Sequence, residues 1–81
     1  MVSEGKPNPD IIYYACKELG VIPTNMVFVE DSVSGVIAGK IAGCYVVALS
    51  STTSKVRLSN AGADRVISNL LELKQIISDL I

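Results

Sequence analysis

The chain has 81 residues, 49% of them hydrophobic, and its seven Lys+Arg against eight Asp+Glu leave a formal net charge of −1. It contains no basic cluster of the kind that binds nucleic acid or acidic lipid, so neither is an expected partner. Charged residues interrupt every apolar run before the ~20 residues that a membrane span needs. A domain this small removes only about 60% of its unfolded surface from water. The apolar excess therefore predicts a hidden partner surface: another domain, another copy, or a further part of the same protein.

The two cysteines, Cys16 and Cys44, lie in an apolar helical pattern and in an apolar strand. Such positions favour reduced, buried thiols that act as small hydrophobic groups. The N-terminal sequence MVSEGKPNP has neither the charged start nor the apolar core of a signal peptide. Together these observations predict a cytoplasmic location.

The first predicted helix can be capped by Asn8, with Pro9 at its first position and Gly20 at its end. After it, the residues MVFVE, 26–30, predict a short strand that is apolar on both faces. Parallel strands covered by helices on each side have this pattern. We therefore expect a helix that leads directly into a buried parallel strand.

The next predicted helix is rich in small residues, begins at Ser32 or Ser34 and ends at Gly43. The apolar run CYVVAL, 44–49, predicts a second buried strand. Small residues on the helix permit it to lie close to the sheet. This unit predicts a second strand parallel to the first.

The remaining sequence predicts a short helix near 54–61, a weaker strand at 64–67 and a final helix over 69–81, capped by Ser68 or Asn69. The full order α-β-α-β-α-β-α indicates right-handed crossovers and a Rossmann-like, three-layer α/β/α fold with a parallel sheet. Three such strands make an incomplete sheet, because the inner edge of 26–30 has no strand to pair with.

Two adjacent carboxylates, Glu30 and Asp31, follow the first predicted strand. Ligands in open α/β sheets collect beyond the carboxyl ends of the strands, where this pair is expected. Mg²⁺ prefers oxygen ligands and is typically held by one or two carboxylates together with substrate phosphate oxygens. The pair therefore predicts a metal site. The alternative is that Asp31 caps the following helix and Glu30 is merely solvated.

A lysine, Lys6, precedes the first predicted helix in the sequence EGKPNPD. That helix should begin at the same edge of the sheet as the acidic pair. Its free N–H groups and the lysine would then form a positive rim suited to phosphate. Taken alone, a lysine before a helix is more simply read as a solvated surface charge.

Together these stretches resemble the haloacid dehalogenase superfamily, and within it the group that includes β-phosphoglucomutase and phosphoglycolate phosphatase. GKPNPD is similar to the third motif of the family, with its lysine at Lys6, and VFVEDSVSGVIAGKIAG is similar to the fourth, with its acidic pair at Glu30 and Asp31. CYVVAL and AGADRVISNLLEL resemble the last strands and final helix of such proteins. The resemblance spans nearly the whole chain.

The resemblance implies phosphoryl transfer from a small phosphorylated metabolite through an aspartyl-phosphate. Lys6 would be the catalytic, phosphate-binding lysine, and Glu30 and Asp31 would bind Mg²⁺. The family's Asp-x-Asp nucleophile motif and its cap domain are absent from the sequence. We therefore expect residues 1–81 to be the C-terminal part of such a core, inactive alone, whose partner is the missing N-terminal part or another copy of the chain.

Two other interpretations remain open. A non-catalytic binding or self-assembling module would share this fold without its chemistry. A receiver-like phosphoacceptor also combines an acidic pair with a lysine, but it has the acidic pair on its first strand and the lysine late in the chain. The order in this sequence is the opposite.

Overall fold

The computed structural model describes residues 8–81, so Lys6 lies outside the described residues. The helices are α1 (Asp10–Leu19), α2 (Val33–Ala42), α3 (Lys55–Asn60) and α4 (Leu71–Leu80). The strands are β1 (Val27–Glu30), β2 (Tyr45–Leu49) and β3 (Arg65–Ile67), and a 3₁₀ turn at Pro23–Asn25 precedes β1. The predicted alternation of helices and strands is confirmed. The 3₁₀ turn was not predicted.

The three strands form one parallel sheet in the order β1-β2-β3. Glu30 is paired in register with Ala48, and Leu49 with Ile67, so the carboxyl ends of all three strands meet at one edge. The predicted α/β class with a parallel sheet is confirmed. No helix between residues 8 and 81 is long and apolar enough to cross a membrane.

Local signals in the sequence set the ends of the first two helices. The Asn8 side chain accepts a hydrogen bond from the Asp10 N–H at 2.9 Å, at the start of α1. Gly20 and Gly43 follow α1 and α2 with φ of 71° and 95°, a left-handed conformation in which glycine readily ends a helix. Of the two serines proposed to cap α2, Ser32 is the cap, and its Oγ accepts from the Gly35 N–H at 3.0 Å.

The start of α4 differs from the expected cap. Glu72 reaches back, and its Oε2 accepts hydrogen bonds from the N–H groups of Ser68 at 2.7 Å and Asn69 at 3.1 Å. The Asn69 side chain accepts from the Leu71 N–H at 2.9 Å, and the helix begins at Leu71. The backbone N–H groups of Ser68 and Asn69 lower the pKa of Glu72. An acidic side chain in the first turn thus shares the capping role predicted for the preceding residues.

The core lies on both faces of the sheet. On one face, buried residues from α1, α2, β2 and α3, together with the residue that precedes β2, form the larger cluster: Ile12, Cys16, Val36, Ala38, Cys44, Val46, Ala48 and Leu58. On the other face, α4 packs Ile76 against Val47 and Ile67. Both cysteines are free and buried, as predicted. Burial, together with the neighbouring Cys16 thiol, raises the pKa of Cys44.

Strand β1 is less covered than expected. The sequence predicts burial on both faces, but Val27 and Val29 are each 38% exposed. They lie on the α4 face of the sheet, where the core contacts of α4 are with β2 and β3. Within residues 8–81, β1 also pairs with β2 alone, so its other edge has no strand partner. The strand therefore presents an open edge and an apolar face together.

Candidate functional site

The acidic pair lies at the carboxyl edge of the sheet, in the position expected from the sequence. Glu30 is the last residue of β1 and Asp31 follows it directly. Together with Val29 and Leu49, the pair lines an open depression of about 170 Å³. The site is thus built from the ends of two neighbouring parallel strands.

The Glu30 carboxylate turns back toward the beginning of α2. Its Oε1 accepts hydrogen bonds from the Asp31 N–H at 2.9 Å, the Ser32 N–H at 3.2 Å and the Ser32 hydroxyl at 3.3 Å. A carboxylate near a helix N-terminus is also favoured by the helix dipole. The chain itself therefore holds the Glu30 carboxylate by hydrogen bonds, and the interpretation of Glu30 as merely solvated is wrong.

Gly35, in the first turn of α2, leaves the space that the Glu30 side chain fills. A Cβ atom at this glycine would overlap Cγ, Cδ and Oε2 of Glu30. Sequence reasoning missed Ser32 and Gly35 as site residues. The signal was present in the spacing EDSVSG, 30–35, in which the capping Ser32 and the helical Gly35 follow Glu30. Gly35 was interpreted only as one of several small residues that let the helix lie close to the sheet.

Asp31 differs from Glu30 in its surroundings. Its side chain is exposed, and no donor within residues 8–81 hydrogen-bonds to its carboxylate. The alternative in which Asp31 caps α2 is wrong, because Ser32 occupies the N-cap position. Among residues 8–81, Asp31 is therefore the more accessible carboxylate of the pair.

The carboxylates of Glu30 and Asp31 are suitable ligands for a hard divalent cation, but two carboxylates are fewer than its full coordination requires. The part of the chain that the structure describes contains no group of three or more His, Cys, Asp or Glu side chains that could hold a metal ion. Mg²⁺ is often bound through one or two carboxylates, with waters and substrate phosphates as its other ligands. Two adjacent carboxylates at an open edge fit such a site in part, with the remaining ligands supplied from elsewhere.

Lys40 does not belong to this site. Its ammonium donates to the Cys44 carbonyl at 3.0 Å and to Asp64 at 2.9 Å, at the amino end of the strands. The lysine predicted to face the acidic pair is Lys6, which lies outside the described residues. Its role remains a prediction.

Comparison with known proteins gives a consistent result. Residues 1–43 match a family model described as haloacid dehalogenase-like hydrolase. The chain is 45% identical over 73 residues to a bifunctional riboflavin kinase/FMN phosphatase of Arabidopsis thaliana, covering 90% of this chain and 19% of that protein. It is 36% identical over 72 residues to hexitol phosphatase A of Escherichia coli, covering 89% of this chain and 32% of that protein.

Among solved structures, a haloacid dehalogenase family hydrolase from Deinococcus radiodurans with bound phosphate and sodium superposes with a TM-score of 0.83 at 34% identity. The match covers 94% of this chain and 35% of that one. The chain thus spans about a third or less of the length of these relatives. The resemblance predicted from GKPNPD and VFVEDSVSGVIAGKIAG is confirmed.

Proposed function

Because the chain belongs to the haloacid dehalogenase-like hydrolase family, we propose that it forms part of a Mg²⁺-dependent phosphotransfer enzyme of the phosphatase or phosphoglucomutase type. Its substrate is a small phosphorylated metabolite. The observation that carries this proposal is the exposed Asp31 carboxylate beside Glu30 at the carboxyl edge of a parallel sheet. The relatives that are phosphatases support it.

In this proposal Asp31 and Glu30 would hold Mg²⁺. The bound cation would stabilise negative charge on the transferred phosphoryl group. Oε1 of Glu30 already accepts three hydrogen bonds and Oε2 lies toward Gly35 at the beginning of α2, so Asp31, whose side chain is exposed, would supply the more accessible carboxylate. Lys6 would bind the phosphate and offset charge on the phosphate and the nucleophile. These contributions are electrostatic and positional, as is usual in phosphoryl transfer.

The nucleophile of the proposed reaction lies outside these 81 residues. A covalent aspartyl-phosphate needs an aspartate in the motif Asp-x-Asp, and the four aspartates of this sequence, Asp10, Asp31, Asp64 and Asp79, all stand apart. We therefore propose that residues 1–81 are the C-terminal part of the core and do not turn over alone. The open edge of β1 supports this, because a parallel strand added there would bring its own carboxyl end next to Asp31.

A second candidate is a non-catalytic module that binds another protein or a second copy of itself. It is favoured by the exposed Val27 and Val29 on β1 together with the open edge of that strand. An exposed strand edge is a template for pairing with another chain. For either candidate, the two free, buried thiols favour a reducing, cytoplasmic location.

The test uses a longer protein that contains this chain. Phosphate release from a panel of small phosphorylated metabolites is measured for the unaltered protein, for Asp31→Asn and for a matched control, Asp79→Asn. Asp79 is an exposed carboxylate on α4, hydrogen-bonded to Gln75. We expect Mg²⁺-dependent release that falls roughly 10²- to 10³-fold in Asp31→Asn and is unchanged in the control. No release from any metabolite, or equal activity in all three proteins, would overturn the proposed function.

A further inference from the structure

We propose that Ser32 and Gly35 are positioning residues of the phosphotransfer site and that they act through Glu30. They hold the Glu30 carboxylate against the beginning of α2 and so set the direction in which Asp31 leaves the sheet edge. This inference rests on the proposed function, because it assigns the two acidic residues different tasks within the same site.

The Ser32 hydroxyl joins Glu30 to the helix. A hydroxyl has a single proton to donate, and its contacts here are one acceptor and one donor. It donates to Glu30 Oε1 at 3.3 Å and accepts from the Gly35 N–H at 3.0 Å. The hydroxyl makes both hydrogen bonds simultaneously, so its orientation is fixed by the Glu30 carboxylate and by the Gly35 N–H group of α2.

Glycine is needed at position 35 because a larger side chain would collide with Glu30, and not because of its backbone conformation. The glycines with positive φ among residues 8–81 are Gly20, Gly43 and Gly62, so Gly35 has a backbone that alanine could adopt. Glycine is less favourable than alanine inside a helix. The structure supplies the reason for it at this position, since an added Cβ would overlap Cγ, Cδ and Oε2 of Glu30.

The arrangement fixes the turn that carries Asp31. Oε1 of Glu30 accepts from the N–H groups of Asp31 and Ser32, so the backbone on both sides of the Asp31 carboxylate is tied to the Glu30 side chain. If the Glu30 carboxylate is displaced, these two N–H groups lose their acceptor and the direction of Asp31 is no longer set.

The experiment compares variants of a longer protein that contains this chain: Gly35→Ala, Ser32→Ala, the conservative Ser32→Thr, and the control Ser34→Ala, which is in the same helical turn. Two quantities are measured. One is the Mg²⁺ dissociation constant by calorimetry. The other is the hydrogen-exchange rate of the Asp31 and Ser32 amides in the metal-free protein. Circular dichroism establishes that each variant is folded.

We expect Gly35→Ala and Ser32→Ala to weaken Mg²⁺ binding roughly tenfold or more, as the loss of residues that orient metal ligands usually does. The Asp31 and Ser32 amides should exchange faster in both variants. Ser32→Thr should bind Mg²⁺ as tightly as the unaltered protein, because threonine also caps helices. Ser34→Ala should change neither the dissociation constant nor the exchange rates. In a Glu30→Ala background, which leaves room for the new Cβ, Gly35→Ala should have no further effect.

An unchanged dissociation constant and unchanged exchange in folded Gly35→Ala and Ser32→Ala would overturn the inference. A full further loss of binding in the Glu30→Ala background would also overturn it, because the two residues would then not act through Glu30. Failure of the proposed function looks different. The unaltered protein would bind no Mg²⁺ and release no phosphate, while the exchange rates at Asp31 and Ser32 would still test whether Ser32 and Gly35 hold Glu30 in place.

Discussion

The Lys40 ammonium lies 2.9 Å from Asp64 Oδ2, at the opposite edge of the sheet from Glu30. The same carboxylate oxygen accepts from the Val46 N–H at 2.7 Å, and Lys40 also donates to the Cys44 carbonyl at 3.0 Å. Together these contacts join the end of α2 to the starts of β2 and β3. Burial alone would raise the pKa of Asp64, but the hydrogen bonds from Val46 and Lys40 outweigh it and leave that pKa lowered.

The first prediction is that Asp64→Asn lowers the free energy of unfolding in a pH-dependent way. The pKa of Asp64 is lower in the folded chain than its ordinary value of 3.8. Its stabilisation is therefore fully present above that ordinary value and is lost as the pH falls through the folded-state pKa. At pH 7 we expect a loss of about 1 kcal/mol, typical of a partly exposed hydrogen-bonded pair. Urea denaturation at several pH values measures it.

The control for this prediction is Asp79→Asn, which removes an exposed carboxylate that has no lysine partner within residues 8–81. The difference in stability between unaltered protein and Asp64→Asn should shrink at acid pH. A difference that is constant with pH would contradict the role assigned to the carboxylate charge.

The second prediction concerns the contact between α2 and the sheet. A Cβ at Gly39 would lie 2.7 Å from Val46 Cγ2 and 2.8 Å from Phe28 Cδ2. Because Val46 is buried in the core and Phe28 packs against it, Gly39→Ala should lower the free energy of unfolding by roughly 1–3 kcal/mol. Ser34→Ala on the same helix should change it by less than about 0.5 kcal/mol. Thermal denaturation of the two variants tests this difference in stability. Equal melting temperatures would show that α2 can shift away from the sheet without cost and would contradict the prediction.

The third prediction tests the proposed role of Lys6. In a longer protein that contains this chain, Lys6→Ala should lower phosphatase turnover by roughly 10²- to 10³-fold, because it removes a charge that stabilises the transferred phosphoryl group. Lys17→Ala provides the control, since Lys17 is exposed on α1 beyond its first turn. Steady-state phosphate release measures both. Similar losses in the two variants would mean that the wrong lysine has been chosen.

The fourth prediction concerns metal affinity. Two carboxylates are only part of a Mg²⁺ ligand set, so residues 1–81 alone should bind the ion weakly. Affinity should rise in a longer protein that also contains an Asp-x-Asp motif. Calorimetric titration of both proteins makes the comparison, and equal dissociation constants would show that those further aspartates are not ligands.

The fifth prediction concerns the open edge of β1. Residues 1–81 alone should self-associate or bind a hydrophobic dye, because Val27 and Val29 are exposed beside an unpaired strand edge. Val29→Lys, which introduces a charge on that face, should reduce the association. Sedimentation velocity and dye fluorescence measure the two effects. A monomer with a cooperative melting transition and no dye binding would favour an independent module over part of an enzyme.

Much of the fold was predictable because its signals are local. Gly20 and Gly43 end helices through their own backbone conformation, and Ser32 caps α2 through a neighbouring N–H group. The exposure of Val27 was not predictable in this way. It depends on where α4 packs, and α4 covers β2 and β3. The apolar pattern of β1 carries no information about that tertiary contact.

The candidate site shows the same division. The position of Glu30 and Asp31 at the end of a parallel strand followed from the order of the elements. The direction of the Glu30 side chain could not be predicted in this way. It depends on the space left by Gly35, which has no Cβ, and on the hydrogen bond from the Ser32 hydroxyl. The predicted role of Lys6 rests on its motif alone.

The open edge of β1 and the Asp31 carboxylate belong to one continuous segment, so in the proposed enzyme a strand that completed the sheet would also complete the site. Mg²⁺ or a phosphate analogue held between Asp31 and residues beyond this chain would then act as a crosslink. It would stabilise the joined form by an amount that grows with the logarithm of its concentration. Substitutions along β1 that touch no reacting group would therefore imitate catalytic defects, and excess Mg²⁺ would rescue them while leaving the loss of the nucleophile or of Lys6 unchanged.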